Sequence, residues 1–358
     1  LAVMGRRAVV FEKQSVAGGM LALGIPEFRL PKESLQKDID FILRHGVELR
    51  TDTSVGSVKD LKEQGYRAVF LATGAQDGRA MGIDGEDLEG VADSLEFLRA
   101  RGLGKEPKCG KKVAVIGGGN AAIDAARSAI RLGAEDVLIL YRRTREEMPA
   151  YDEDIEDALL EGIELHELVA PNRIVGEDGK VTGIEMARMK LGKPDDSGRR
   201  RPVPIAGSEF VVECDMVLPA IGQRASIEPA EGLAITSWKT VESDGVTLAT
   251  SQDGVFSGGD VINGGSTVIE AIADGQRAAL SIDRYLGGPG ILPPDVSMSL
   301  HRASDEELEN ATVQAKEPML AVAERLSDFR EVVQGFHPEG ACAEANRCLR
   351  CDLEKLRS

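Results

Sequence analysis

The sequence of 358 residues predicts an α/β protein in which one glycine-punctuated unit of parallel sheet is inserted into another. Glycine is abundant, with 40 residues, and such an excess among alternating apolar strands indicates tight turns between strands and helices. A complete strand–turn–helix–strand pattern occupies residues 113–141. A strand pattern at 255–260 resumes the arrangement that begins near residue 7, so the second unit interrupts the first.

Composition and charge exclude several classes of protein. Lys and Arg number 43 against 60 Asp and Glu, and the net charge of −17 repels nucleic acid and anionic lipid. The sequence holds no run of about 18 apolar residues, and its start does not resemble a signal peptide. Five Cys in a chain of this length do not form a disulfide framework. We therefore expect a cytoplasmic protein that neither binds nucleic acid nor inserts into a membrane.

The outer unit is predicted from short strands that end in glycine or a carboxylate. Its elements are the tail of a helix at 1–5, a buried strand at 7–12, a Gly18-Gly19 turn, a helix at 32–45, strands at 47–50 and 67–71, a returning strand at 255–260 and a helix at 267–286. Glu12 ends the first strand, where a dinucleotide unit places a ribose-binding carboxylate. The strand and Gly-rich turn that should precede it are absent from this sequence, so an ordinary surface carboxylate remains the alternative.

The inserted unit carries the most specific motif. Residues 113–122 read VAVIGGGNAA, which matches G-x-G-x-x-A between a strand and a helix that we expect over 120–132. Gly117 permits the tight turn, Gly119 lets a pyrophosphate approach the backbone, and Ala122 allows close packing of helix on strand. Asn120 begins the helix, whose N-terminus stabilises an anion. The context predicts dinucleotide binding, against a purely structural turn.

The rest of the inserted unit is predicted to be strands joined by polar segments. Strands are expected at 137–141, 163–168, 181–189, 209–213 and 215–219. Residues 192–204 are polar and rich in Pro and Arg, and we expect them to form a loop between two strands.

The end of the second strand of this unit indicates which nicotinamide cofactor binds. An NAD site usually offers Asp or Glu there, whereas this sequence has Arg142 and Arg143 after Tyr141. Guanidinium groups pair bidentately with a phosphate, as the 2′-phosphate of NADP requires. We therefore expect NADP rather than NAD. The alternative is a solvated basic patch that offsets Glu146 and Glu147.

The C-terminal region differs in composition from the rest. A Pro-containing linker from residue 289 leads to short acidic helices and to Cys342, Cys348 and Cys351. The last two stand at C-x-x-C spacing, which presents both thiolates to one edge of an iron–sulfur cluster. A [4Fe–4S] cluster needs four ligands, so the fourth would come from elsewhere. Free surface thiols and a zinc site with His337 remain alternatives.

Motifs spread along the chain resemble those of one oxidoreductase family. They are GGM, LGIPEFRLP, ATG, VAVIGGGNAAIDAAR, YRRTREEMPA, GRRRPVPIAGSEF, LPAIGQ, GVFSGGDV and STVIEAIADGQRAA, in this order over roughly residues 1–287. The sequence resembles the glutamate synthase small-subunit-like FAD/NAD(P)-dependent oxidoreductases. This family includes the NADPH-binding subunit of NADH-dependent ferredoxin:NADP reductase and the flavin half of dihydropyrimidine dehydrogenase.

The resemblance implies two interleaved Rossmann-type domains and a set of cofactor-binding residues. It implies an FAD-binding domain at 1–107 and 253–288, an inserted NAD(P)-binding domain at 108–252, and a linker and helical, Cys-containing tail at 289–358. Gly117, Gly119, Asn120 and Ala122 would contact the NADP pyrophosphate, and Arg142 and Arg143 its 2′-phosphate. The remaining cofactor-binding positions, which lie mostly near FAD, would be Glu12, Gly18, Gly19, Thr73, Gly74, Gly222, Gly259, Asp260 and Thr267. The alternative for the Gly258-Gly259-Asp260 stretch is a turn at a strand end with a purely structural role.

The function expected from this resemblance is electron transfer. An FAD-containing subunit would take hydride from NADPH and pass electrons through iron–sulfur clusters to other subunits of a complex, with no side chain acting as an essential acid–base catalyst. No C-x-x-C lies in the nucleotide domains, which argues against a disulfide reductase of the thioredoxin-reductase kind. The alternatives are a degenerate nucleotide-binding scaffold without a working flavin and a stand-alone flavin reductase of a small molecule.

Overall fold

The computed structural model describes residues 1–195, 198–292 and 315–348. The strands are β1 Val9–Phe11, β2 Glu48–Arg50, β3 Val69–Leu71, β4 Asp77–Gly78, β5 Lys112–Ile116, β6 Asp136–Leu140, β7 Glu164–His166, β8 Val169–Glu177, β9 Lys180–Pro194, β10 Arg200–Pro204, β11 Phe210–Glu213, β12 Met216–Pro219, β13 Gln223–Arg224 and β14 Val255–Ser257. The α-helices are α1 Met20–Leu23, α2 Lys32–Leu43, α3 Val58–Glu63, α4 Ser94–Gly102, α5 Asn120–Arg131, α6 Asp152–Leu160, α7 Asp260–Asn263, α8 Val268–Tyr285, α9 Val322–Arg325 and α10 Pro338–Cys348. Short 3₁₀ turns lie at Ala2–Met4, Arg145–Glu147 and Glu228–Ala230.

A parallel sheet in the order β12-β5-β6-β7 forms the centre of the inserted unit. Strands β5 and β12 are apolar on both faces because the sheet is covered on both sides: Val113, Ala114 and Leu218 have no accessible surface. Helix α5 packs its alanine-rich face against one side, where Ala122 and Ala126 are fully buried. Small side chains there let the helix approach the strands closely, as the sequence predicts.

An antiparallel sheet covers the other face of the parallel sheet, and one of its strands lies where the sequence predicted a loop. Strand β9 pairs with β8, β10 and β11. Residues 192–204, predicted to be a loop, instead contain the end of β9 and the whole of β10, which form a hairpin. Pro202 and Pro204 lie on β10, which pairs only with β9 in the described sheet. Proline is tolerated on such an edge strand. The prolines of this segment favoured a loop in the sequence-based prediction, but they are compatible with the strand that the structure shows.

The outer unit contains two separate two-stranded parallel sheets among the described residues, β1-β2 and β14-β3. Strand β1 was predicted to be buried, but Val10 is 47% exposed. Residues 1–5, predicted to end a helix, form a 3₁₀ turn over Ala2–Met4 that stops at Gly5 with φ +79°. The apolar character of the 7–12 segment therefore overstates its burial in this structure.

The chain crosses between the two units at a pair of short strands. β4 and β13 lie antiparallel and pair Asp77 with Arg224 and Gly78 with Gln223. Beyond β4 the chain packs on the inserted unit, where Leu88 and Val91 contact its core. Beyond β13 it returns to the outer unit, whose core includes Leu233. We propose that the inserted unit spans 79–222, which is earlier at both ends than the 108–252 expected from the sequence.

A buried ionic cluster joins the two units. Phe28, 1% exposed, lies in the loop before α2, and its ring centre lies 4.9 and 4.1 Å from the guanidinium carbons of Arg127 and Arg131 of α5. Both arginines bind Glu161, with nitrogen–oxygen distances of 2.7 Å. Burial raises the pKa of Glu161, but the hydrogen bonds from Arg131 and Arg127 outweigh it and hold this pKa below its usual value.

A C-terminal strap, residues 318–334, packs over the same cluster. It folds back on itself through Leu320 N–H donating to the Val332 carbonyl, and Val332 N–H donates to the carbonyl of Phe28 at 3.0 Å. Arg325 of α9 reaches Asp157 at 3.0 Å. Segments distant in sequence thus meet on one buried face of α5 and α6. No helix in the described ranges is long and apolar enough to cross a membrane.

Candidate functional site

The three glycines of the predicted turn after β5 have different surroundings, and these explain why each position is glycine. Gly117 adopts φ +149°, and a Cβ there would lie 2.3 Å from the Ala220 carbonyl oxygen. At Gly118 a Cβ would lie 2.5 Å from the ring of Tyr141, so the absence of a side chain lets the turn pack directly against this ring. At Gly119 the nearest atom would be Pro149 Cγ at 3.9 Å, so the surface over it is open. This is the open backbone that a pyrophosphate needs.

The start of α5 faces the same opening. Gly119 is the N-cap residue, and no side chain caps the helix. Asn120 accepts a hydrogen bond from Tyr151 N–H through Oδ1, at 3.1 Å, which ties the turn to the start of α6. The first backbone N–H groups of a helix carry partial positive charge and bind anions. The residues present therefore fit the diphosphate of a dinucleotide.

The two arginines after β6 occupy different environments. Arg142 is exposed at its surface, but partial burial lowers its pKa from the usual value, and the charges of Arg143 and Arg199 lower it further. Arg143 is 3% exposed, and its guanidinium donates to Asp195 at 2.7 Å and to the Arg200 carbonyl at 2.8 Å. Of the two predicted phosphate ligands, Arg143 is thus engaged with the β9–β10 hairpin.

A cavity of about 380 Å³ lies between this loop and the hairpin. Its lining comprises Glu146, Glu147, Met148, Pro149, Gly198, Arg199 and Arg200. Glu147 is bound by Arg200 Nε at 2.8 Å and by the Thr144 hydroxyl. The hydrogen bond from the Thr144 hydroxyl lowers the pKa of Glu147 most, and the hydrogen bond from Arg200 lowers it further against the opposing effect of burial. Because Pro149 also borders Gly119, the cavity adjoins the Gly-rich turn.

The predicted FAD-side residues around the first turn are placed as follows. Glu12 lies directly after β1, and its Oε1 accepts a hydrogen bond from Gln14 N–H at 2.7 Å. Gly18 has φ +115°, and a Cβ there would lie 3.0 Å from Leu35, so it serves packing against α2. Gly19, with φ +53°, would place a Cβ in open space. Backbone at Gly19 can therefore be approached from outside.

Thr73, Gly74 and Gly222 lie where the chain crosses between units. The Thr73 hydroxyl donates to the Ser226 carbonyl at 2.5 Å, and Ser226 N–H donates to the Gly74 carbonyl at 2.9 Å. The Gly222 carbonyl accepts from Arg79 N–H at 3.0 Å. These residues fix the crossover next to the end of β3.

The late glycine pair forms a second turn, before α7. Gly259 has φ +75°, and its N–H donates to buried Asp274 at 2.8 Å. Asp260 Oδ1 accepts from the Ser266 N–H and hydroxyl at 2.9 and 3.0 Å. Thr267 caps α8 and forms a capping box with Glu270. Three predicted positions thus meet at the start of α8.

The surface beside this turn suits an apolar ring. Val268, Ile269 and Ile272 of α8 are 44, 70 and 51% exposed. Large apolar side chains grouped on the first turns of a helix mark a surface that another group covers. Together with the carboxylate of Asp260, this surface fits the isoalloxazine and ribityl parts of FAD.

The cysteines divide into half-buried Cys109 and buried Cys214 on one side and the cysteines of the tail on the other. Burial raises the pKa of Cys109 to about 11 and that of Cys214 to about 12, so neither is a thiolate near neutral pH. Cys342 is exposed on α10. The side chain of Cys348 and all of Cys351 lie outside the described residues, and within the described ranges no group of three or more metal-ligating side chains occurs.

Sequence reasoning missed three residues of this site. Tyr141 supports the Gly-rich turn through its ring and donates its hydroxyl to the Glu147 carbonyl at 2.8 Å. Arg199 and Arg200 enter from the hairpin that was expected to be a loop. The run of three arginines at 199–201 was the available signal, because clustered guanidinium groups favour the binding of anions.

A family model described as pyridine nucleotide-disulphide oxidoreductase matches residues 7–275. The chain belongs to this family. It is 36% identical, over 80% of its own length and 73% of the relative, to a putative NADPH glutamate synthase small chain of Cereibacter sphaeroides. The predicted resemblance to glutamate synthase small subunits is confirmed, and with it membership of an FAD- and NAD(P)-binding oxidoreductase family.

Longer relatives are more similar in sequence. The chain is 45% identical to the beta subunit of NADP⁺-dependent formate dehydrogenase of Moorella thermoacetica, over 98% of the chain and 52% of the relative. It is 40% identical to the beta subunit of NADPH-Fe(3+) oxidoreductase of Geobacter sulfurreducens, over 98% of the chain and 58% of the relative. The chain thus spans little more than half of these two relatives.

Solved structures confirm the fold. FprA of Mycobacterium tuberculosis in complex with NADPH gives a TM-score of 0.66 at 20% identity, covering 78% of each chain. Thioredoxin reductase of T. acidophilum gives 0.61 at 23% identity, covering 80% of this chain and 92% of that one. The predicted α/β fold with Rossmann-type nucleotide domains is therefore confirmed.

Proposed function

We propose that this chain is the FAD- and NADP-binding part of an electron-transfer subunit, which takes reducing equivalents from NADPH and delivers them to a partner subunit. The observation that carries the proposal is the open turn at Gly119, at the N-terminus of α5, beside a cationic loop at the carboxyl end of β6. Relatives named as beta subunits or small chains of NADP-linked enzymes support it. We place this subunit in the cytoplasm.

The roles of the residues follow from binding and positioning. When both cofactors are bound, hydride transfer from nicotinamide to flavin is the chemistry that they supply. Gly117, Gly119, Asn120 and Ala122 would hold the diphosphate on the start of α5. Arg142 supplies positive charge for the 2′-phosphate. No side chain in the described site needs to exchange a proton for these roles.

The outer unit would hold FAD. Glu12 would bind the ribose of the adenosine part, Gly19 would lie near FAD, and Gly259, Asp260 and Thr267 would lie at the flavin end. Thr73, Gly74 and Gly222 would set the distance between the two cofactors, because they fix the crossover between the units. Gly18 packs on α2 and supports the first turn.

We further propose that Cys342, Cys348 and Cys351 ligate an iron–sulfur cluster, with the fourth ligand supplied from outside this stretch. The exposed position of Cys342 on α10 is compatible with ligation. Thiolates at C-x-x-C spacing are the usual ligands of such clusters. The cluster would carry single electrons from the flavin toward the partner.

Steady-state reduction of ferricyanide, a one-electron acceptor, tests the proposed function. The full-length protein, supplied with FAD, should oxidise NADPH with ferricyanide as acceptor and should lose this activity when FAD is withheld. A protein that binds NADPH and FAD but transfers no electrons would instead be the nucleotide-binding scaffold. NADPH oxidation that requires an organic substrate rather than ferricyanide would indicate the stand-alone reductase.

A further inference from the structure

The chain passes between the two units at β4 and β13, and this crossover is slender. Each of the two strands is two residues long. Short segments of this kind act as hinges, and relative motion of two domains is the default unless their interface resists it. Contacts away from the crossover must therefore fix the orientation of the inserted unit on the outer unit.

One such contact lies between the end of α4 and the segment that begins at α1. Helix α4 packs in the core of the inserted unit, and its Gly102 lies so close to α1 that a Cβ there would be 2.6 Å from the Ala22 carbonyl oxygen. Lys32 Nζ donates to the Gly102 carbonyl at 2.7 Å, and Glu27 contacts Arg101 at 3.5 Å. The charged side chains of this contact are 26 to 42% exposed, so water screens them and they add little rigidity.

Phe329 of the C-terminal strap contacts both sides of this boundary. Its ring centre lies 6.0 Å from that of Phe28, which belongs to the outer unit, and 4.2 Å from the guanidinium carbon of Arg101, which belongs to the inserted unit. At these distances two aromatic rings attract each other, and so do a cation and a ring. A single side chain of the strap therefore joins the two units.

The rest of the strap is a closed loop with anchors on both units. Leu320 N–H donates to the Val332 carbonyl at 3.0 Å and closes the loop. Val332 N–H donates to the Phe28 carbonyl of the outer unit at 3.0 Å. Arg325, 5% exposed, binds Asp157 of α6 in the inserted unit at 3.0 Å. Because these contacts fix the backbone on either side of it, the phenyl ring between them has a defined position.

We propose that the strap, acting through Phe329, is a positioning element that holds the inserted unit in one orientation on the outer unit, so that nicotinamide and flavin meet. The inference rests on the proposed function, because the orientation matters for hydride transfer only when each unit holds its cofactor. Phe329 is a positioning residue, since it acts through Phe28 and Arg101. Transfer requires close and aligned reactants, whereas each proposed cofactor site lies within one unit. The strap therefore governs the rate of transfer and not the affinity for either cofactor.

Loss of the Phe329 ring should loosen the units and leave them attached. Arg29 of the outer unit still binds Asp124 of α5 and Asp154 of α6, with nitrogen–oxygen distances of 2.9 and 2.8 Å. We therefore expect a range of orientations rather than separation of the units.

The orientation itself can be measured on the full chain without either cofactor. Spin labels are introduced through an unnatural amino acid at Phe41 of α2 and Leu160 of α6, which are 60 and 63% exposed and lie on different units. Double electron–electron resonance then gives the distribution of distances between the labels. We expect a narrow distribution in the wild type and a broad one in Phe329→Ala.

Rapid mixing of the FAD-loaded full chain with NADPH separates transfer from binding. In Phe329→Ala the limiting rate of flavin reduction should fall about 5-fold to 20-fold, because two contacts that favour one orientation are lost. The NADPH concentration that gives half of this rate should stay within about twofold of the wild type. Phe329→Tyr, which keeps the ring, should restore most of the rate.

The matched control is Met319→Ala, since Met319 is 42% exposed and pairs with Val333 inside the strap. This variant should behave as the wild type does in both measurements. Melting curves confirm that each variant is folded.

The outcomes separate the inference from the proposed function. A wild type whose flavin is not reduced by NADPH would overturn the proposed function, and the distances between the spin labels would then test the strap on their own. A distance distribution in Phe329→Ala as narrow as that of the wild type would overturn the inference, as would a limiting rate within about twofold of the wild type. A loss of rate in Met319→Ala equal to that in Phe329→Ala would also overturn it.

Discussion

Adjacent glycines in the turn after β5 have different physical roles. Gly118 is required by the protein itself, because the Tyr141 ring occupies the space of a Cβ, whereas Gly119 faces an opening. The motif G-x-G-x-x-A predicts Gly117 and Gly119 as the binding glycines, and the structure explains why the position between them is also glycine. A sequence pattern cannot reveal the latter, because the ring that excludes a side chain arrives from the end of another strand.

Alanine substitutions distinguish these roles. We expect Gly118→Ala to lower the free energy of unfolding by about 3 kcal/mol, because a buried aromatic ring must move. Gly119→Ala should cost no more than about 1 kcal/mol, since its Cβ meets ordinary contact distances at an N-cap position. Gly119→Ala should nevertheless weaken NADPH binding about tenfold or more, since the methyl group occupies the approach of the diphosphate. Urea unfolding and NADPH titration of both variants check this; equal stability losses would contradict it.

Asp124 makes the stability of the chain depend on pH. Burial raises the pKa of Asp124 to about 6, and Arg29 opposes this rise only in part. The unfolded pKa is about 3.9, so the folded state binds the proton more tightly, and stability from this group is present below about pH 4 and is lost as the pH rises through about 6.

Asp124→Asn should remove this loss. Relative to the wild type, the variant should gain about 2–3 kcal/mol of unfolding free energy between pH 4 and pH 7. Urea unfolding curves across that range measure the difference. Parallel pH profiles for the two proteins would contradict the account, whatever constant offset arises from the weakened contact with Arg29.

At the level of elements, helix α5 serves two surfaces at once. Its start faces the candidate diphosphate site, and its end carries Arg127 and Arg131 into the buried cluster with Glu161. The helix and its alanine-rich face could be predicted from the sequence. The buried arginines could not, because their partners come from α6, from the loop at Phe28 and from the C-terminal strap, and no local pattern links these segments. The β9–β10 hairpin was missed for a related reason, since Pro and Arg on an edge strand resemble a loop.

Removing the shared carboxylate should cost more than removing the strap contact. Glu161→Ala leaves two buried guanidinium groups without their main counterion and should cost about 3–5 kcal/mol. Arg325→Ala should cost about 1–2 kcal/mol, because Asp157 keeps its contact with Arg127 at 3.1 Å. Hydrogen exchange in Arg325→Ala should rise in the strap and not in β5 or β6. A loss for Arg325→Ala equal to that of Glu161→Ala would contradict this ranking.

At the level of the whole molecule, the two units are connected at β4 and β13 and clamped at the ionic cluster. The interleaved order was predictable, because the strand pattern of the outer unit, last seen at 67–71, resumes at 255–260. The crossover itself was not, since β4 and β13 are two-residue strands without an apolar signal. This arrangement holds the turn proposed to bind NADP and the late glycine turn on one framework, which is what direct transfer between two cofactors requires.

Anaerobic reduction of the flavin by each nicotinamide nucleotide tests the central claim most directly. The full-length protein with its FAD is mixed rapidly with NADPH or with NADH at equal concentration, and the visible flavin absorption is followed. The account predicts prompt bleaching by NADPH and much slower bleaching by NADH. Flavin that stays oxidised with NADPH, or that is bleached at least as fast by NADH, would contradict it.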